Sequence, residues 1–540
     1  MAEVYASLSE NTQSANATRK AYLVGGGIAS LASAFYLIKD GHLTPSNIHI
    51  LEELKIDGGS MDGSGNAEQG YVIRGGRMFS NESYAALFDL MKQIPSLTDP
   101  NKTLMQEYDE FNSHIHTHAN ARLVANGHHI VDVSKMEFSA KDRLDLIKMM
   151  AQTENSLGTR RIDDCFEPSF FETNFWHMWA TTFAFQPWHS AVEFKRYLHR
   201  FIHEFPRINT LAGVNRTAYN QYDSIILPVI TWLKAQGVQF EMGCEVTDLD
   251  IKTTRIEKTV ERIHLLRDGK PETIDVDEDD LVFVTNGSMT EASSLGSNTT
   301  APVIKTKNDG GAWKLWEHIA KGHPEFGNPS TFDDHIDESL WESFTVTQDS
   351  PLFFELEQKF SNNTPGTGAL VTFKDSNWLM SIVVAYQPHY INQPENVKVF
   401  WGYALFPNKK GNYVQKKMSE CTGQEIMTEL CYHLGFMDKL PEILEHSNCI
   451  PCIMPFITAQ FLVRAKGDRP QVVPKDSTNL AFLGQFAEIP EDTVFTVDYS
   501  VRSAQIAVFT LLKLHKQVTP IYKGQYDPKV MVAATKTLFK

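Results

Sequence analysis

The sequence predicts an α/β protein. A discontinuous, Rossmann-like dinucleotide-binding domain carries an inserted α+β substrate domain and ends in a C-terminal helical segment. Three observations predict it. Residues 21–53 read strand, glycine turn, helix, strand and terminal acid. Two later apolar stretches, 281–287 and 479–486, read as strands that end at glycine. Long aromatic and alternating segments lie between these pieces and belong to none of them.

Residues 22–24 are apolar and run into Gly25-Gly26-Gly27. From Ile28 the apolar spacing is helical up to Lys39, and Gly41 stops the helix. Gly25 allows the tight turn, and Gly27 lets the backbone approach a diphosphate. Ile28 and Ala29 open a helix whose free N–H groups point at that diphosphate. Ser30 stands at the third glycine position and is small enough for close helix–strand packing. The next strand ends in Glu52-Glu53, where an acid meets ribose hydroxyls. A bare glycine triplet would read as a flexible loop; the complete strand–helix–strand order decides against that.

Composition bounds the rest. At 540 residues the chain predicts two or three domains. A net charge of −16 argues against nucleic acid as a partner. No apolar run reaches the roughly 18 residues of a spanning helix, and the first 20 residues lack a signal core, which predicts a cytoplasmic location. Six cysteines match a reducing compartment. Cys449 and Cys452 form a CxxC, readable as a redox or metal pair or as two buried thiols on a strand. Zinc-ribbon spacing is missing, which favours buried thiols.

Further along, Gly59 and Ser60 lie in a glycine-dense loop, and Arg74-Gly75-Gly76-Arg77 follows a strand and suits phosphate or flavin contacts. Residues 86–94 and 141–157 read as helices, and 113–135 as strands bearing His114, His116 and His118 on one face. The outer two would sit about 13 Å apart, too far to share a metal ion, so no metal is expected. Residues 170–206 are dense in aromatics with Tyr197 among them, suited to a core or an apolar pocket wall. A polar loop at 215–223 leads into a helix at 224–236. Strands follow at 238–242 and 244–249, the latter holding Val246. The strand at 281–287 ends in Asn286-Gly287. Residues 300–365 read as mixed and irregular, 366–406 as sheet, and 424–434 as helix. The strand at 479–486 ends in Gly484-Gln485. Thr493-Val494-Phe495 precedes a helix at 500–515 whose start points at the cofactor.

The last 28 residues hold six lysines and one acid, Asp527, which reads as a solvated helix or as a contact with anionic membrane. The expected division is a cofactor domain of 18–135, 207–300 and 475–512, a substrate domain and lid of 136–206 and 301–474, and a basic tail of 513–540.

Taken together, residues 25–32, 50–54, 58–60, 74–77, 181–186, 219–223, 387–389, 484–486 and 493–495 make the chain resemble the oleate hydratases, the myosin-cross-reactive antigen family of flavoproteins. The resemblance covers nearly the whole chain. It implies FAD and a hydro-lyase reaction, the addition of water across the cis-9 double bond of free unsaturated fatty acids. It implies that Tyr197 protonates the alkene and that Gln221 and His389 position the fatty acid, the histidine near its carboxylate. The family's water-activating glutamate falls at Met78, and Val383 and Ala385 replace usual polar residues, so a divergent branch is implied. A fatty-acid double-bond isomerase and a non-catalytic FAD- and lipid-binding protein stay open as alternatives. Either a monomer or a homodimer is expected.

Overall fold

Eighteen short strands organise the chain in the computed structural model, which describes residue 16, residues 18–76 and residues 78–540. The first stretch carries β1 (Ala21–Val24), β2 (Ile48–Glu52), the hairpin β3 (Gly63–Asn66) and β4 (Gly70–Ile73), then β5 (Leu123–Ala125) and β6 (His129–Ile130). The middle carries β7 (Gln239–Met242), β8 (Cys244–Thr253), β9 (Lys258–Arg267), β10 (Lys270–Asp275) and β11 (Leu281–Thr285). The remainder carries β12 (Ser294–Leu295), β13 (Trp341–Gln348), β14 (Val371–Phe373), β15 (Met380–Val383), β16 (Lys398–Ala404), β17 (Ser447–Met454) and β18 (Leu480–Leu483).

β1 is wholly apolar and buried because it has parallel neighbours on both sides: Ala21 is in register with Ile48 of β2 and with Leu281 of β11. The five-stranded order is β18-β11-β1-β2-β7, all parallel. Helix Ile28–Lys39 packs on this sheet beside helix Val497–Leu511. Such sheets bind ligands beyond the carboxyl ends of their strands, which here places the first glycine turn, Glu52, Gly287 and Gly484 at one edge. The antiparallel sheet β10-β9-β8 continues the chain from β7.

The inserted layer is an eight-stranded sheet, β12-β17-β13-β16-β15-β14-β5-β6. β13 lies near its middle and every residue of it is buried. It falls inside 300–365, expected to be irregular. Its side chains Glu342, Ser343, Thr345 and Thr347 hide it, because it is polar in sequence yet has sheet neighbours on both edges and cover on both faces. The 113–135 segment also differs. Thr103 caps a helix over Leu104–His114 with a capping box, so His114 closes a helix and His116 and His118 follow in irregular chain. β5 and β6 then join the eight-stranded sheet, so that sheet draws on residues inside the 18–135 stretch. The helix expected at 141–157 divides into Ala140–Ala151 and Glu154–Leu157, because Thr153 caps a new start. The CxxC lies on β17. Residues three apart on a strand face opposite ways, so the two buried thiols project into different cores, and burial pushes Cys452 up to about 12.

The tail folds back on the protein. Helix Pro528–Leu538 is capped by Asp527, Arg143 donates to the carbonyl of Leu538 at 2.8 Å, and Lys523 pairs with Glu491 at 2.7 Å. Tyr526, Val532 and Phe539 stay exposed at 74, 54 and 60 %, so the tail shows apolar as well as basic groups to solvent. Among the described residues no helix is long and apolar enough to cross a membrane.

Candidate active site

The first turn is built from contacts that only glycine permits. Gly25 has φ +94°, and its N–H donates to Leu51 at 2.8 Å. A Cβ on Gly26 would lie 2.9 Å from Oε2 of Glu52, the oxygen that already accepts the Gly26 N–H. A Cβ on Gly59, at φ +56°, would lie 3.2 Å from the Cα of Gly27, so the second glycine loop presses on the first. Gly27 caps helix Ile28–Lys39 without a side chain, leaving the first-turn N–H groups free. This arrangement fits the diphosphate of a dinucleotide.

Acids ring the adjoining cleft. Glu52 accepts from Gly26 and, at 2.8 Å, from Leu54; burial pushes its carboxyl up to about 7. Glu53 accepts from Gly311 at 3.1 Å and Glu291 from Ala312 at 3.0 Å; burial raises both, Glu291 to about 7. Gly25, Gly27, Ile28, Ala29, Gly59, Ser60, Arg74, Val246, Gly287, Gly484 and Gln485 line the same cleft. Of the residues expected there, Gly75, Gly76 and Phe495 line the adjoining chamber instead, and four more stand behind the cleft. Ser30 meets Thr285 oxygen to oxygen at 3.3 Å, Asn286 donates to Phe486 at 3.2 Å, and Thr493 and Val494 are fully buried. Arg77 lies outside the described residues.

Ser60 and Arg74 also line a second, central chamber, so cleft and chamber are adjacent. Arg74 is spent on the loop: its Nε donates to Asp62 at 2.8 Å and a terminal nitrogen to Gly59 at 3.2 Å. Gly75, Gly76, Met78, Trp341, Trp401, Tyr403 and Phe495 wall the central chamber. From it Gly76, Met78, Thr182 and Phe495 lead to an apolar chamber lined by Tyr84, Phe183, Tyr197 and Phe201. On another side Gly75, Arg216, Val383 and Trp401 lead to a far chamber holding Gln221, Ala385 and His389.

Tyr197 sits on helix Ala191–Arg200, its ring about 5 Å from those of Phe183 and Phe185. Its phenol donates to the carbonyl of Val494 at 2.5 Å. That helix is fixed by ion pairs in the interior. Glu193 meets Arg469 at 3.0 Å and Arg464 at 3.1 Å, Arg196 meets Glu154 at 2.8 Å, and Arg200 meets Asp498 at 2.8 Å. Asp498 also pairs with Arg502 on helix Val497–Leu511.

Gln221 donates to the carbonyl of Ser60 at 3.4 Å and keeps a buried Oε1 without a partner. Asn220 holds the His389 carbonyl with its backbone and side-chain N–H groups, at 2.8 and 3.0 Å. Burial and the neighbouring Arg216 push His389 down to about 3, so its ring is neutral. Arg216 lies in the polar loop at 215–223, where its place between Asn215 and Thr217 gives no signal of a role. Trp341, Trp401 and Tyr403 were also missed, being ordinary strand residues until the sheet turns them to one face. Among the described residues one trio of metal-capable groups exists, Glu82, His203 and Glu204, away from the histidines at 114–118. Arg207 already pairs with Glu204 at 2.7 Å.

The MCRA family model matches residues 18–509. A protein named oleate hydratase from Streptococcus pyogenes is 40% identical over 526 residues, covering 96% of this chain and 89% of that protein. One named linoleate hydratase from Lactiplantibacillus plantarum is 37% identical over 569 residues, covering 96% of this chain and 98% of that one. A match of that extent, on a chain with this glycine cradle and chambered interior, identifies it as a member of the MCRA family.

Proposed function

We propose that the protein is an FAD-dependent hydro-lyase that adds water across the cis-9 double bond of free unsaturated fatty acids, converting oleate to 10-hydroxystearate. The observation that carries the reading is a phenol, Tyr197, facing an apolar chamber that opens past Met78 and Phe495 toward the nucleotide cleft. The names of the two relatives support the reaction class. The cradle suits FAD, which would be held by Gly25 to Ala29, Glu52, Glu53, Gly59, Ser60 and Gln485. Hydration transfers no net electrons, so a bound flavin would contribute shape and fixed electrostatics.

An alkene is a very weak base, and a phenol of pKa about 10 is a weak acid. The chain must therefore supply geometry. Tyr197 gives its proton to one alkene carbon, water bonds to the other, and the proton lost by water restores the phenol. Holding acid, alkene and water in line replaces the entropy a free encounter would lose. The water needs a base or an acceptor. Met78 has no basic atom, and Glu204 is the one carboxylate among the described residues that line the three chambers.

The test is incubation of reduced and oxidised holoprotein with oleate. 10-Hydroxystearate is the expected product; its absence across C16–C18 cis-9 acids overturns the reading. The commitment of Glu204 to Arg207 favours a second reading, double-bond isomerisation, which needs no activated water. Growth of conjugated-diene absorbance with linoleate selects it.

The tail reading extends this proposal. Lys529, Lys536 and Lys540 beside exposed Val532 and Phe539 suit a surface of anionic lipid, where the fatty acid would be delivered. Unchanged vesicle binding after deletion of 517–540 refutes it. Light scattering decides between monomer and homodimer.

A further inference from the structure

Among the described residues, Arg122 and Arg216 have guanidinium groups held inside without an acid beside them. Burial alone lowers Arg216 to about 10, and burial lowers Arg122 to about 10 as well. Their situations differ. Arg122 donates to Met178 at 2.8 Å, to Thr182 at 2.6 Å and to Thr372 at 3.3 Å, and it lines no chamber. Its donors are consumed by the fold. Arg216 makes one side-chain bond, to the carbonyl of Ala369 at 2.9 Å, its Nε is buried without an acceptor, and its side chain lines both the central and the far chamber.

A guanidinium cannot shed its charge at neutral pH, and leaving it inside the protein without a counter-ion is costly. An anion entering the chambers would relieve that cost. The substrate proposed above brings one, its carboxylate. Its other polar neighbours cannot balance it there. His389 is neutral, Gln221 offers an amide, and Val383 and Ala385 are apolar. A carboxylate needs two or more donors with positive charge behind them, which the planar fork of an arginine supplies.

We propose that Arg216 is the residue that recognises the carboxylate of the fatty acid, from its place where the central and far chambers join. Gln221 and His389 then flank the head group as neutral hydrogen-bonding partners. The reactive carbon is counted from this anchor. A chain gripped at Arg216 and threaded past Met78 and Phe495 brings one fixed position to Tyr197, so Arg216 sets which double bond reacts as well as which lipids bind. This rests on the fatty-acid reading of the chambers but not on hydration taking place.

The experiment compares a fluorescent conjugated C18 acid with its methyl ester, by binding to holoprotein carrying Arg216→Met, Arg216→Gln or Arg216→Lys. The native protein is expected to prefer the acid by about 30-fold or more, the range of charge-assisted hydrogen bonds. Arg216→Met and Arg216→Gln are expected to bring that ratio close to one with flavin content unchanged, and Arg216→Lys to restore part of it. A ratio that survives Arg216→Gln overturns the proposal. So does equal loss of acid and ester without rescue by lysine, which marks a structural role. If Arg216→Met does not fold, the glutamine and lysine variants carry the comparison. A native protein that prefers the acid yet never hydrates oleate defeats the hydratase reading and leaves the Arg216 assignment standing.

Discussion

The glycine-lined cleft and the inner chambers are made in opposite ways. The cleft is backbone: glycines in contact, a bare helix end, and acids held by N–H groups. Its parts follow one another within Ala21–Glu53, with a few late additions. The chambers are side chains: Met78, Tyr197, Arg216, Trp341, His389 and Phe495 come from six separated segments and meet only when two sheets pack. A backbone site tolerates little change in shape but much in chemistry. In a side-chain site one wall residue can be exchanged while the backbone keeps its course, and Met78 occupies such a wall position while the cleft keeps its glycines.

Four substitutions sharpen or break that contrast. Tyr197→Phe removes the proposed acid and nothing from the cleft. Turnover of oleate should fall by about 10² to 10⁴, with flavin absorbance retained; full activity would take Tyr197 out of the reaction. Glu193→Ala leaves Arg469 and Arg464 short of a buried counter-charge behind that tyrosine. A loss of about 3–5 kcal/mol in urea unfolding is expected, and a loss below 1 would show the network to be redundant.

Glu52→Gln tests the acid side of the cleft. The folded pKa, about 7, lies above the ordinary 4.5 because of burial. The folded protein therefore holds a proton that the unfolded chain releases. The stability from Glu52 is complete below about 4.5 and is lost as pH rises to 7, on the order of 3 kcal/mol. Glutamine should flatten unfolding free energy against pH in that window for the cofactor-free protein; an unaltered slope removes Glu52 as its source. Gly59→Ala should have the smallest effect. A methyl group at φ +56° and 3.2 Å from Gly27 costs about 1–2 kcal/mol, read as roughly tenfold weaker flavin binding with oleate affinity unmoved.

The same contrast decides what could be read from the chain. The parallel layer was legible because β1, β11 and β18 are apolar runs with glycine close behind them, and β2 is a mostly apolar run that ends in an acid. β13 was not, since its Glu, Ser and Thr residues give no apolar pattern and only burial on every side makes it a strand. Helix Leu104–His114 has its capping box in the sequence, but the alternating histidines from His114 mimic the two-residue period of a strand. Tyr197, Gln221 and His389 came from family resemblance. The chambers that hold them, Tyr197 in one and Gln221, His389 and Arg216 in another, depend on long-range packing, to which no local spacing points.

Arg200 and Arg502 share Asp498, so the helix bearing Tyr197 is riveted to the last helix of the nucleotide layer. A nascent chain completes that rivet only once Asp498, 298 residues after Arg200, and Arg502 have been made. Until then the phenol has neither its Val494 partner nor a fixed bearing. Tyr197 and the glycine cleft thus mature together, and a half-assembled molecule would hold an oily void with no fixed phenol beside it.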